Sequence, residues 1–260
     1  MMDRKALRLA ASLLLSCGAG SLAAADSPVS VKVATSRGEF KLMVFHPPAD
    51  TPPGKPGILF ISGEGGWRRF DDLIASDLAG LGHWVGGVDA MEYFWQPQDD
   101  RQALAVDFRA YAAALARAAK GPEDTPVVLG GFSFGADLAP LLAGSGGWGE
   151  RLGGLLMIGP DETGSLAFRL MEILGFESKD HVFSVAEALR AASGTPVAFI
   201  HGEKDGSSAT PSLHERATGP KKLIVVAGAD HHFSGREDRL RAALGESMEW
   251  LAGKPAHEHQ

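Results

Sequence analysis

Short apolar runs that alternate with helix-like stretches are the feature that most limits how this chain can fold. The runs are rich in Val, Ile, Leu and Phe and several are followed at once by glycine or a polar residue, as expected of strands in a covered sheet. We predict eight strands, at residues 29–35, 39–45, 58–62, 83–88, 126–132, 152–159, 196–202 and 221–228. The alternation predicts an α/β fold, with a mostly parallel sheet of about eight strands and helices on both faces.

The clearest helix is predicted at residues 101–119, where four apolar side chains recur at helical spacing. They are Leu104, Phe108, Tyr111 and Leu115. Further helices are predicted around 70–81 and 237–251. The first two strands flank Ser36-Arg37-Gly38 and should form an antiparallel hairpin. Residues 161–195 leave room for one or two lid helices but not for a large cap.

Residues 1–25 have the three parts of an export signal. The stretch "MMDRKALR" is basic, "LAASLLLSCGAGSL" is apolar, and "AAAD" offers a cleavage site between Ala25 and Asp26. The remaining residues, 26–260, are enough for one large domain. Two alternatives are an uncleaved N-terminal anchor and lipid attachment at Cys17, for which "LLSC" is a weak processing site.

Composition excludes several classes of site. The net charge is −7 and there is no Lys/Arg-rich run, which argues against a nucleic-acid partner. The only cysteine lies within residues 1–25, so a processed chain would have neither disulfides nor a thiol nucleophile. The histidine pairs lack further ligands at metal-binding spacing, and "SGEGGW" at 62–67 lacks the Lys of a phosphate-binding loop. We therefore expect no metal and no cofactor.

The stretch Gly131-Phe132-Ser133-Phe134-Gly135 fits the G-x-S-x-G pattern between a predicted strand and a predicted helix. In a nucleophile elbow the serine occupies a strained turn, and the small flanking residues let strand and helix approach. Ser133 is therefore the candidate nucleophile, the alternative being a glycine turn in which Ser133 only caps the helix. Pro140 is expected to end or kink that helix.

The partners of such a serine are expected in the order serine, acid, histidine along the chain. Asp205 follows the strand at 196–202 and is the candidate acid, with Asp161 as its competitor. His231 follows the last strand and is the candidate base. His232 would then line the pocket, although the roles of these two histidines could be reversed.

A tetrahedral oxyanion needs two backbone N–H donors. We expect one from Phe134, which follows the serine, and one from Glu64 in the glycine-rich loop after the strand at 58–62. Other residues near strand ends are candidates for the substrate pocket, with core packing as the alternative interpretation. They are Gly63, Trp67, Asp89, Tyr93 and His232.

Four stretches together resemble the VirJ and AcvB families of bacterial virulence proteins, within the α/β-hydrolase superfamily. They are "SGEGGW" (62–67), "GVDAMEYFW" (87–95), "GFSFGADLAP" (131–140) and "GADHHFSG" (228–235). The chain departs from the family pattern at Phe132, where Tyr is more frequent, and at Glu64, where Asp is more frequent. The resemblance implies an α/β-hydrolase fold with a minimal cap and a periplasmic protein.

The resemblance also implies one of two roles. The first is hydrolysis of aminoacyl-phosphatidylglycerol at the membrane surface, by a serine esterase mechanism through an acyl-enzyme. Loss of residues 1–25 would change the net charge from −7 to −9, which suits a cationic lysyl lipid. The second is a non-enzymatic accessory role, in which the protein binds components of type IV secretion.

Overall fold

The computed structural model describes residues 27–167 and 181–253. Its strands are β1 (Val29–Thr35), β2 (Gly38–Phe45), β3 (Gly57–Ile61), β4 (Val85–Val88), β5 (Val127–Phe132), β6 (Leu152–Ile158), β7 (Thr163–Ser165), β8 (Val182–Ser184), β9 (Val197–Gly202) and β10 (Lys221–Val226). Eight strands form one sheet in the order β1-β2-β4-β3-β5-β6-β9-β10, while β7 and β8 form a separate ribbon. Only the β1–β2 and β2–β4 pairs of the large sheet are antiparallel. The eight predicted strands are those of the large sheet, and the ribbon was not predicted.

Helices cover both faces of the sheet. They are α1 (Arg69–Gly80), α2 (Ala90–Tyr93), α3 (Arg101–Ala118), α4 (Phe134–Gly144), α5 (Val185–Ala191), α6 (Thr210–Arg216) and α7 (Glu237–Ala252). Apolar residues of α1 and α7 pack on one face of the sheet, and those of α3, α4 and α5 pack on the other. The predicted α/β class, with a mostly parallel sheet covered on both sides, is confirmed.

Helix α3 forms where its sequence supplies both a cap and an apolar face. The Asp100 carboxylate accepts hydrogen bonds from the backbone N–H groups of Gln102 and Ala103, at 2.9 and 3.0 Å, and so satisfies donors that have no partner within the helix. The four apolar side chains predicted to face the core are all buried. Burial of this stripe against the sheet stabilises the helix more than intrinsic propensity does.

Helix α4 continues through Pro140 to Gly144, so of the two predicted effects of this proline, ending the helix is wrong. Ten of its residues are buried, from Phe134 to Ala143. Packing on the sheet and against α5 therefore holds the helix together although Pro140 cannot donate a hydrogen bond to the preceding turn.

The N-terminal hairpin is fixed to the fold through Asp107 of α3. The backbone N–H and the hydroxyl of Ser36, at the hairpin turn, donate to the Asp107 carboxylate at 2.6 and 2.8 Å. The Tyr93 hydroxyl donates to the same carboxylate at 2.6 Å, and Tyr93 is buried. Tyr93 is thus a core residue that helps to anchor the hairpin, and its predicted place in a substrate pocket is corrected by its burial.

The segment between β6 and β9 contains the ribbon and helix α5. Part of the region expected to hold lid helices, residues 168–180, lies outside the described residues. The predicted signal at residues 1–25 also lies outside them. Within the part of the chain that the structure describes, no helix has both the length and the apolar character needed to cross a membrane.

Candidate active site

Ser133 sits at a sharp turn between β5 and α4, with φ 51° and ψ −119°. Positive φ is rare for residues with a Cβ, and strain of this kind persists only where surrounding structure imposes it. The Ser133 N–H donates to the carbonyl of Ile158 in β6 at 2.8 Å, and the Ser133 carbonyl accepts from Ala136 N–H at 2.8 Å. These bonds hold the turn at the carboxyl edge of the sheet, which is the geometry of a nucleophile elbow.

The glycines on either side of Ser133 make this turn possible. A Cβ at Gly131 would lie 2.2 Å from the carbonyl carbon of Gly135. A Cβ at Gly135 would lie 2.1 Å from the carbonyl oxygen of Ile61 in β3. Both contacts are with backbone atoms that cannot rotate away, so each position accepts only glycine in this geometry.

Asp205 and His231 meet beside this turn, on the loops after β9 and β10. His231 Nδ1 lies 2.8 Å from Asp205 Oδ2. The Asp205 side chain is 1% exposed and that of His231 is 24% exposed. The other carboxylate oxygen of Asp205 accepts from the backbone and hydroxyl of Ser207 and from the backbone of Ser208, at 2.6–3.1 Å.

The hydrogen bonds around Asp205 determine its charge. Burial raises the pKa of Asp205, but the hydrogen bonds from Ser207, His231 and Ser208 outweigh burial and hold this pKa well below its usual range. An ionised carboxylate can only accept hydrogen bonds. His231 Nδ1 must therefore be the donor in this hydrogen bond, and in the neutral imidazole Nε2 is then an acceptor.

The alternatives that the sequence left open occupy different positions. Asp161 is exposed, and its backbone N–H donates to Asp137 Oδ1 at 2.8 Å. His232 lies beside His231, with ring centroids 5.3 Å apart, and packs edge-on against Phe132. The structure thus brings Asp205 and His231 together as the hydrogen-bonded pair and places His232 next to it.

Ser133 and His231 line one small cavity of about 220 Å³. Its wall includes three other residues that the sequence singled out, namely Gly63, Glu64 and His232. It also includes Arg68, Phe70 and Asp71, which sequence reasoning missed. Their signal was weak, because "RRFDD" reads as the exposed start of a helix, although its position just after the glycine-rich loop could have drawn attention to it.

The two predicted oxyanion donors, Phe134 and Glu64, lie on the segments that follow β5 and β3. Phe134 is the first residue of α4, and the first N–H groups of a helix have no partner within it. Glu64 lies in the loop after β3 and lines the cavity.

Two other pocket candidates lie behind this loop. Asp89 caps α2 by accepting from Glu92 N–H at 3.1 Å, and its carboxylate packs against Gly66. The Trp67 ring lies on Gly87 of β4, where a Cβ would be only 2.3 Å from it, and contacts Phe45. Trp67 therefore packs on the sheet rather than in the cavity wall.

A larger groove of about 780 Å³ lies elsewhere, between α3, α4 and α5. None of Ser133, Asp205 and His231 lines it. No cluster of three or more His, Cys, Asp or Glu side chains suited to a metal ion occurs in residues 27–167 and 181–253.

Solved structures share this architecture. Est1E from Butyrivibrio proteoclasticus is 16% identical with a TM-score of 0.62, and the match covers 86% of this chain and 99% of that one. An α/β serine hydrolase without a lid from Xanthomonas campestris is 19% identical with a TM-score of 0.58, over 88% and 98% of the two chains. The esterase domain of a Rhodothermus marinus protein is 15% identical with a TM-score of 0.61, over 86% and 98%. These similarities show the α/β-hydrolase fold.

Sequence comparison identifies the family. No curated relative matches the chain. The family model described as bacterial virulence protein (VirJ) matches residues 57–250. This range covers most of the chain and contains Ser133, Asp205 and His231. The chain therefore belongs to the VirJ family of bacterial virulence proteins, built on an α/β-hydrolase fold.

Proposed function

We propose that this protein is a serine hydrolase that cleaves carboxylic esters through an acyl-enzyme. The observation that carries the proposal is the strained Ser133 turn, which shares a cavity with a histidine held at 2.8 Å by a buried carboxylate. A serine that only capped a helix would have no need of this backbone strain, because caps adopt ordinary extended conformations. The side chain of Ser133 makes no capping hydrogen bond to α4.

In the proposed reaction His231 Nε2 takes the proton of the Ser133 hydroxyl as its oxygen attacks the ester carbonyl carbon. The N–H groups of Phe134 and Glu64 stabilise the resulting oxyanion. Collapse of this intermediate breaks the ester bond, and His231 returns the proton to the leaving alcohol. Water then attacks the acyl-enzyme with His231 again as base, which releases the acid and restores Ser133.

Asp205 acts on His231 rather than on the substrate. Its carboxylate keeps the proton on Nδ1 and stabilises the imidazolium that forms during each proton transfer. Ser207 and Ser208 hold the carboxylate in place.

The test is labelling of the purified protein with a fluorophosphonate, followed by peptide mass spectrometry. We expect the label on Ser133, and we expect Ser133→Ala to lose both labelling and ester turnover while its circular dichroism spectrum stays unchanged. A well-folded wild-type protein that resists the probe would contradict the proposal and would favour a non-catalytic role in type IV secretion. Ser145→Ala is a matched control, because Ser145 lies at the other end of α4.

For the substrate, we propose the ester bond of an aminoacyl-phosphatidylglycerol. The cavity of about 220 Å³ is smaller than the roughly 300–1,000 Å³ typical of pockets for drug-sized ligands, so it suits an amino-acid-sized acyl group better than a fatty acyl chain. The resemblance of the chain to the VirJ and AcvB families implies the same substrate. Vesicles containing lysyl- or alanyl-phosphatidylglycerol should release free amino acid, while the fatty acyl esters in the same vesicles should stay intact. Release of fatty acid instead would refute this assignment.

A further inference from the structure

Asp71 is a buried carboxylate in the wall of the cavity that contains Ser133 and His231. Its side chain belongs to a residue that is 3% exposed. One oxygen, Oδ2, accepts the Arg68 N–H at 2.8 Å and so caps helix α1. The other oxygen, Oδ1, is buried and makes no hydrogen bond of normal geometry with any described residue. Helix capping thus explains the position of Oδ2, and no hydrogen bond among the described residues explains the burial of Oδ1.

The charge of Asp71 is also uncompensated. None of the ion pairs among the described residues includes Asp71. Burial raises the pKa of Asp71 to about 6, backbone N–H groups of Arg68 and Gly63 partly offset this, and the Asp89 carboxylate raises it further. Arg68 also lines the cavity but is exposed. Burial of a carboxylate without a neighbouring cation costs free energy. A ligand with a cationic group that donates a hydrogen bond would offset this cost.

The position of Asp71 links it to the reacting centre. Gly63 begins the loop that holds Glu64, and a Cβ at Gly63 would lie 3.2 Å from the Phe132 ring, next to Ser133. The rings of Phe70 and Phe132 form an apolar part of the nearby wall, with their centroids 4.8 Å apart. The cavity therefore has one buried carboxylate in its wall, that of Asp71, whereas the charged side chains of Glu64 and Arg68 are exposed.

We propose that Asp71 Oδ1 accepts a hydrogen bond from a primary ammonium group on the acyl part of the substrate. Asp71 would then be a specificity residue that selects amino-acid esters with a free amine over neutral carboxylic esters. The inference rests on the proposed hydrolase function and deepens it by assigning recognition of the amine to one side chain.

The experiment compares two soluble esters of equal shape, alanine ethyl ester and ethyl isobutyrate, in which a methyl group replaces the ammonium. Values of kcat/KM are measured near pH 7 for the wild type, for Asp71→Asn and for Asp72→Asn. Asparagine can still accept the Arg68 N–H, so the cap of α1 is retained. Asp72 is exposed on the same turn and its substitution makes the same change of charge.

We expect the wild type to prefer the alanine ester. Asp71→Asn should reduce that preference about tenfold or more, which is the usual effect of losing a hydrogen bond between charged groups. It should lower kcat/KM for ethyl isobutyrate much less than for the alanine ester, and Asp72→Asn should leave the values for both esters unchanged. The preference of the wild type should also shrink below about pH 6, where Asp71 takes up a proton.

An equal loss on both esters in Asp71→Asn would show that the carboxylate only supports the loop, and would overturn the proposal. So would no loss on either ester. A second readout needs no turnover: alaninamide should slow fluorophosphonate labelling of Ser133 more than isobutyramide does, and Asp71→Asn should abolish the difference. If the wild type is labelled but alaninamide and isobutyramide slow the labelling of Ser133 equally, the proposed amine recognition is wrong and the hydrolase proposal stands. If Ser133 of the wild type is not labelled at all, both the hydrolase proposal and the proposed amine recognition are wrong.

Discussion

At the scale of single residues, the strained turn at Ser133 depends on the absence of two side chains. Its positive φ costs a residue with a Cβ about 1–3 kcal/mol, which the surrounding structure must supply. Gly131 and Gly135 allow β5, α4 and β3 to approach closely enough to hold it. The conformation of Ser133 therefore depends on two neighbours that have no side chain.

We expect Gly135→Ala to lower the free energy of unfolding by about 3 kcal/mol or more, since its Cβ would collide with the backbone of Ile61. Urea unfolding would measure this. Gly80→Ala is the matched control, because a Cβ at Gly80, the last residue of α1, has no atom within 4 Å. The control should stay within about 1 kcal/mol of the wild type. Equal stability of the two variants would show that α4 can move away from β3 at little cost.

At the scale of elements, the N-terminus of α1 combines two tasks. Asp71 caps the helix through one oxygen and lies in the cavity wall, where its other oxygen is buried and makes no hydrogen bond of normal geometry with a described residue. The sequence pattern of a helix start indicates the first task, because capping is a local interaction. The second task depends on the loop after β3 folding over the helix end, which no local pattern reports.

The Asp71 carboxyl should make stability depend on pH. Burial raises the pKa of Asp71 in the folded state to about 6, above the value of about 3.9 for an exposed aspartate, so between these pH values the folded state keeps a proton that the unfolded state has lost. The contribution of Asp71 to the free energy of unfolding of the wild type therefore falls as pH rises from about 4 to 6, and it stays low above pH 6. Asp71→Asn removes this titrating group. The free energy of unfolding of the variant minus that of the wild type should therefore be larger at pH 7 than at pH 4, by up to about 3 kcal/mol. Urea unfolding at the two pH values checks this, and a pH-independent difference would contradict it.

At the scale of the whole molecule, the parallel sheet gathers distant residues at one edge. The loops after β3, β5, β9 and β10 bring Glu64, Ser133, Asp205 and His231 to the carboxyl ends of their strands. In an open α/β sheet this edge is where ligands bind. The larger groove between α3, α4 and α5 is not lined by any of these residues, so cavity volume alone would not have pointed to them.

The cellular location of the protein stays a prediction. We expect a strain that expresses the full chain to hold the protein in its periplasmic fraction, with a mature N-terminus at Asp26 by mass spectrometry. Cys17→Ser should fractionate in the same way, because cleavage after Ala25 removes that residue. A membrane-bound protein that Cys17→Ser releases would instead show lipid attachment at Cys17.

Much of the architecture could be predicted because its signals are local. Strand-like stretches marked all eight strands of the large sheet, with Ser36-Arg37-Gly38 marking the turn between the first two, and helical spacing marked α3. The predicted strand at 83–88 starts two residues before β4 (Val85–Val88), because His83 and Trp84 precede the paired strand. The β7–β8 ribbon was missed because strands of three residues carry almost no pattern.

By itself the sequence determined the fold class, the placing of Ser133 at a strand-to-helix turn and the order in which an acid and a histidine follow it. Only the tertiary structure decided that Asp205 and His231 form a hydrogen-bonded pair, with Asp161 exposed and His232 alongside. It alone placed Tyr93 in the core and Asp71 in the cavity wall. The physical reason is that these outcomes depend on how loops from separate strands pack together, and periodicity along one segment contains no information about that packing.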